Sequence, residues 1–136
     1  MTTLNFKLIL QLSLFGLAMA IATVFVIPSN IEPLFWLVIF IVCAVVIARR
    51  CAGKRFLHGF AVSLANCVWI TSFHILLFSS YLARHPQEAA MMKTMPLPDS
   101  PRLMMLMTGP VVGVVSGIVL GLFAFIASKL VKPAAA

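Results

Sequence analysis

The chain has 136 residues, 62% of them apolar, with ten Lys and Arg against three Asp and Glu. A soluble domain carries about 25% charged and about 45–50% apolar residues, so the departure in both directions excludes an ordinary water-soluble domain and leaves no length for one beside a membrane-embedded part. The formal charge of +7 does not point to nucleic acid, because the basic residues flank apolar runs rather than form a patch with interleaved aromatic residues.

The first apolar run covers residues 6–27, with Lys7 at its start, and its 22 residues suffice for the roughly 20 that a span needs. Ala18-Met19-Ala20 imitates a signal-peptide cleavage site, but the apolar run continues to Ile27, which favours a retained helix. Gly16 and Ala20 form a small-xxx-small pair on it, and Gln11, Ser13 and Thr23 are its polar side chains at depth. Pro28-Ser29-Asn30-Ile31-Glu32-Pro33 is a dense turn signal in which Asn30 or Glu32 can cap and Pro33 suits a first helical turn.

The second run, 34–49, has Phe35 and Trp36 at interface depth and ends in Arg49-Arg50. Arg49, Arg50, Lys54 and Arg55 make a basic loop around Cys51 and Gly53, and Gly53 suits a helix end. The third run, 56–82, is the most polar inside, with His58, Asn66, Thr71, Ser72 and His74. It carries a small-residue series of its own: Gly59, Ser63, Cys67, Thr71. Residues 83–102 read as a long loop interrupted by prolines.

Ser100-Pro101 looks like a cap and a first-turn proline, and the last span covers 103–131. Within it Gly109, Gly113, Gly117 and Gly121 recur at every fourth residue. Each step of four advances only about 40° around a helix, so the glycines form one slowly winding groove without side chains. In lipid such a groove suits close helix–helix contact. It is expected to serve internal packing against the third or first span, with self-association of protomers as the alternative. In the first case Gly117 and Gly121 lie level with Gly59 and Ser63, and Gly113 lies nearer Thr71 and His74. Pro110 removes a backbone donor and predicts a bend. Lys129 and Lys132 close the span, and the tail from Pro133 is expected to fray.

The amino-terminal side, the basic loop and the tail hold one, four and two Lys or Arg, while the loop 83–102 with its flanks holds three. The positive-inside bias therefore places both termini in the cytoplasm. The expected fold is an all-α integral membrane four-helix bundle, a single domain of antiparallel spans.

His74 is the deepest ionisable group, with Thr23 and Thr71 at plausible depth to bond it. Asn66 reads as interhelical glue, with Gln11 or Ser13 as partner. His58 and His74 lie about 24 Å apart on one helix, which does not suit a haem. Met91, Met92 and Met95, with His85 nearby, could offer soft thioether ligands to Cu(I), against a bland reading as apolar filler. Cys43, Cys51 and Cys67 show no CxxC spacing, so neither a disulfide nor a zinc site is expected. No paired carboxylate sits in a span and there is no nucleophile elbow or phosphate loop, so no enzyme activity and no cofactor are expected. A four-span exporter of the small multidrug type would carry a carboxylate in its first span, and this one has none there.

The linker Lys54-Arg55-Phe56, the following Gly59-Phe60, a long third helix with a polar outer loop, and a glycine-rich last helix ending in lysine resemble a family of small four-span bacterial membrane proteins of unknown function. The resemblance covers roughly residues 34–132 and implies a bacterial inner (plasma) membrane location, but no activity and no functional residue. The expected partners are the lipid bilayer and other membrane helices, of the same chain or of a larger complex. The leading functional expectation is a non-enzymatic accessory subunit or small oligomer acting through glycine-mediated association. The alternatives are a small transporter or channel in which His74 and Asn66 face the path, and an outer-face Cu(I)-binding protein.

Overall fold

The computed structural model describes residues 3–132 and residue 134. Among them are six helices and no strand: α1 (Phe6–Phe25), α2 (Glu32–Arg50), α3 (Arg55–Leu76), α4 (Phe78–Arg84), α5 (Pro86–Met92) and α6 (Pro101–Leu130). Helices α1, α2, α3 and α6 are long and apolar enough to cross a membrane. At 30 residues, α6 is about 45 Å long, well beyond the roughly 30 Å of a bilayer's hydrocarbon.

Local chemistry sets most of the boundaries. Asn5 caps α1, its side-chain oxygen accepting from the Leu8 amide at 3.0 Å. The first run thus ends at Phe25 rather than 27. Helix α2 starts earlier than expected, with Glu32 and Pro33 as its first residues; its cap position is Ile31, and neither Asn30 nor Glu32 caps it by a side chain. The basic turn after α2 is closed by Lys54, at φ 50°, and not by Gly53.

The third run is not one helix. It breaks at Leu77 (φ −104°, ψ 34°) and resumes as α4. The supposed loop 83–102 contains α5 and ends where Pro101 opens α6. Ser100 takes the cap position without a side-chain bond, and α6 continues as helix through Pro110. Pro133 and the last two alanines, expected to fray, lie outside the described residues, while the Ala134 amide bonds to the Arg49 carbonyl at 3.1 Å.

Helix α3 is the centre of the bundle, meeting α6 along one side and α1 along another, while α2 lies mainly on α6. The glycines of α6 all face α3. A Cβ built on Gly121 would meet the Phe56 ring at 2.7 Å, one on Gly117 the Phe60 ring at 2.8 Å, and one on Gly113 the Cys67 side chain at 2.7 Å. Gly109 abuts Thr71. Contact positions fall along α6 as they rise along α3: Gly59 abuts Gly121 at the expected level, while Gly113 meets Cys67, one turn short of Thr71 and His74. On α1, Gly16 abuts Asn66 and Ala20 is fully buried.

The best-filled part of the core joins Leu8, Leu12, Ile47, Val62, Leu120 and Ala124 at the end of the bundle that carries the basic turn. His58 ties that end together. It is buried, accepts the Asn5 amide on Nε2 at 3.0 Å and donates from Nδ1 to the Lys54 carbonyl at 2.9 Å. Cys51 beside it is also buried; burial pushes its thiol pKa up, with the Arg55 charge opposing. The outer surface of α6 exposes Val111, Val115, Leu122 and Ile126, and that of α2 exposes Leu34, Val38 and Ile41. Apolar surface on this scale suits acyl chains as solvent.

Candidate binding cavity

At the other end of the bundle α2 stands off from α3, and the space between α2, α3 and α6 is a cavity of about 920 Å³. Such a volume lies near the top of the range of about 300–1,000 Å³ seen for small-molecule sites. Its floor is aromatic. Phe40 of α2 meets Phe123 of α6 edge-on at 6.3 Å, and Trp36 stands over Phe40 at 6.1 Å. The α3 wall presents Ser63, Asn66, Thr71 and His74, and the far end holds Glu32, Tyr81, Glu88 and the methionines 92, 95 and 105.

The break at Leu77 builds that far end. In an uninterrupted helix, residues seven apart lie about 10.5 Å apart along the axis. Here the His74 and Tyr81 rings stack with centroids 3.9 Å apart, because the chain changes direction between them. His85 stacks on the opposite face of Tyr81 at 4.2 Å. It is fully buried, and its Nδ1 donates to the Tyr81 carbonyl at 2.9 Å. His85 is the residue joining α4 and α5, within the expected connection, but it is buried against Tyr81 and does not line the cavity with the methionines.

The tautomer of His74 follows from its partner. The Thr23 hydroxyl spends its proton on the Met19 carbonyl at 2.8 Å, so it accepts from His74 Nε2, also at 2.8 Å. A neutral His74 therefore carries its proton on Nε2, and Nδ1 is the acceptor. Thr71, the other candidate partner, lies instead against Gly109.

Glu32 and Glu88 are two of the chain's three acids, and both line the cavity. No Lys or Arg lines it among the described residues. Each carboxylate is oriented by an uncharged donor: Trp36 Nε1 donates to Glu32 at 3.1 Å, and Ser29 Oγ donates to Glu88 at 2.8 Å. The second Glu32 oxygen faces His85 Nε2 at 3.8 Å.

Asn66 is 3% exposed and lies between Gly16 and the cavity, with neither amide atom partnered by protein. The expected bonds to Gln11 or Ser13 are not made. Gln11 is exposed on the outer side of α1, and Ser13 Oγ donates to the Leu10 carbonyl while accepting from Trp69 Nε1. Met92 and Met95 line the cavity with Met105, while Met91 is 57% exposed and is not among the lining residues. No group of three or more His, Cys, Asp or Glu side chains suited to a metal occurs among the described residues.

Of the residues singled out from sequence, His74, Asn66, Ser63, Gly109, Gly113, Met92 and Met95 line the cavity, while Gly16, Gly59, Gly117, Gly121 and Arg49, Arg50, Lys54 and Arg55 do not. Sequence reading missed Glu32, Trp36, Tyr81 and Glu88 as one site. The available signal was the scarcity of acids, two of which flank the same end of the bundle. No family model, characterised protein or solved structure matches this chain.

Proposed function

We propose that this chain is a non-enzymatic, multi-pass membrane protein that binds a small molecule in the α2–α3–α6 cavity, as a carrier or as the ligand-sensing part of a larger assembly. One observation carries the reading: a cavity of ligand size whose lining brings together Asn66, the His74 ring and two carboxylates. Filler packing does not leave polar groups of this kind around an open space, since each costs free energy unless something bonds it. The glycine groove supports the same choice. It is filled by α3 of the same chain, so it is spent on internal packing and is not free to recruit a partner.

The spans are antiparallel, with both termini and the basic turn in the cytoplasm of a bacterial inner membrane. The distribution of Lys and Arg supports this orientation, as does the resemblance to the four-span family. The cavity mouth at Glu32 and Glu88 then faces the outer side.

A cysteine scan tests the binding reading. Thiols react with N-ethylmaleimide only where water reaches them. Ser116→Cys places a thiol on the cavity wall, and Ile118→Cys places one on the lipid-facing side of the same helix. In a background with Cys43, Cys51 and Cys67 replaced by alanine, the first is expected to label and the second not. Equal protection of both would mean that the cavity is closed and dry, and would end the proposal.

A further inference from the structure

We infer that the ligand is an organic cation with an apolar body, held by Glu32 and Glu88; this rests on the binding reading above. The chain carries ten Lys and Arg and three Asp and Glu, yet two acids and no Lys or Arg line the cavity among the described residues. Against a net charge of +7, that is a local reversal of sign. In a low-dielectric wall, such a reversal raises the local concentration of cations and rejects anions.

The remaining lining fits the same chemistry. The Trp36 indole and the Phe40 ring offer π-faces, which attract cations best when water is excluded. Met92, Met95 and Met105 supply polarizable, adaptable walls suited to apolar bodies of varied shape. Trp36 and Ser29, neither of them charged, fix the two carboxylates, and the His85 ring stands 3.8 Å from the second Glu32 oxygen. The deep end of the cavity is the Phe40–Phe123 pair, so a ligand would set its positive end toward Glu32 and Glu88 and its apolar or π-rich end on that aromatic floor. A small inorganic cation would leave the floor unused.

Tetraphenylphosphonium and tetraphenylborate decide the matter, because they share shape and size and differ in the sign of charge. Binding of each to the detergent-purified chain is measured by isothermal titration. The phosphonium is expected to bind and the borate to bind at least about tenfold more weakly. Glu32→Gln and Glu88→Gln keep the acceptor oxygens for Trp36 and Ser29 and remove the charge. Each is expected to weaken phosphonium binding about tenfold, leaving any borate binding unchanged or stronger. Circular dichroism and gel filtration confirm that the variants fold, and Glu88→Gln, in the short outer helix, serves if Glu32→Gln does not. In nanodiscs, phosphatidylethanolamine in place of phosphatidylglycerol is expected not to compete; competition would assign the site to the amine headgroup of a lipid and overturn the free-cation proposal. Equal binding of the two probes, or carboxamide variants with undiminished phosphonium affinity, would also overturn it while leaving a water-accessible Ser116→Cys, and so the binding reading, intact.

Discussion

A Cβ added to Gly59 would come to 2.7 Å from the Leu120 carbonyl oxygen and 2.9 Å from the Gly121 Cα. Both are backbone atoms of the facing helix. No rotamer change can relieve such a contact, so the two helices must separate. Gly59→Ala is therefore expected to cost about 1–3 kcal/mol, the usual range for overpacking. Val114→Ala, on an exposed part of α6, is expected to change little. Thermal unfolding in detergent checks the pair. Equal melting temperatures would mean that α3 and α6 are not in close contact.

Asn66 offers the opposite outcome. Its amide makes no protein hydrogen bond although it is buried. Leucine has nearly the same branched shape and nothing to desolvate. Asn66→Leu is expected to leave stability unchanged or raise it, because replacing an unsatisfied buried polar group removes its desolvation cost. A loss of stability beyond about 1 kcal/mol would mean that the amide has a structural partner.

Thr23 is expected to behave in the usual way for an interhelical bond. Thr23→Val keeps the shape and leaves the His74 Nε2 proton without an acceptor. The expected cost is about 1 kcal/mol, in the range measured for such bonds within membranes. Thr23→Ser, which retains the hydroxyl, is expected to restore most of it. If both variants unfold at the same denaturant concentration, the bond between α1 and α3 carries no weight.

The spans, the close α3–α6 contact and the His74–Thr23 bond were legible in the sequence because each rests on a local or periodic signal: hydropathy, a four-residue interval, or polar groups at equal depth. The cavity was not. It depends on α2 standing off α3 at one end, which no periodicity encodes. It depends also on the break at Leu77, which lies in an apolar stretch without proline or glycine. Without that break, Tyr81 and His85 extend away from His74 instead of stacking under it. Glu32 read as a cap candidate for the same reason, since a carboxylate at a helix start needs no other explanation until its neighbours are known.

Cys51 supplies a pH-dependent readout outside the spans. Burial raises its pKa above the ordinary thiol value of 9.0, and Arg55 lowers it. The thiolate is the reactive form. Alkylation of Cys51 in the folded protein is therefore expected to reach half its limiting rate at a higher pH than in the unfolded chain. Arg55→Gln removes the lowering influence, so the midpoint is expected to move further up. A midpoint that falls in the variant would contradict the placement of Arg55 beside the thiol.

Sidedness of the cavity is the most direct test of all. Ser116→Cys, in a background with Cys43, Cys51 and Cys67 replaced by alanine and with a tag on the tail, is treated with a membrane-impermeant maleimide in sealed vesicles of both orientations. The expected result is labelling from the face opposite the tag and none from the tag's own face. Labelling from the tag's face alone, or from neither, would contradict a cavity sealed by the Phe40–Phe123 floor and open at Glu32 and Glu88.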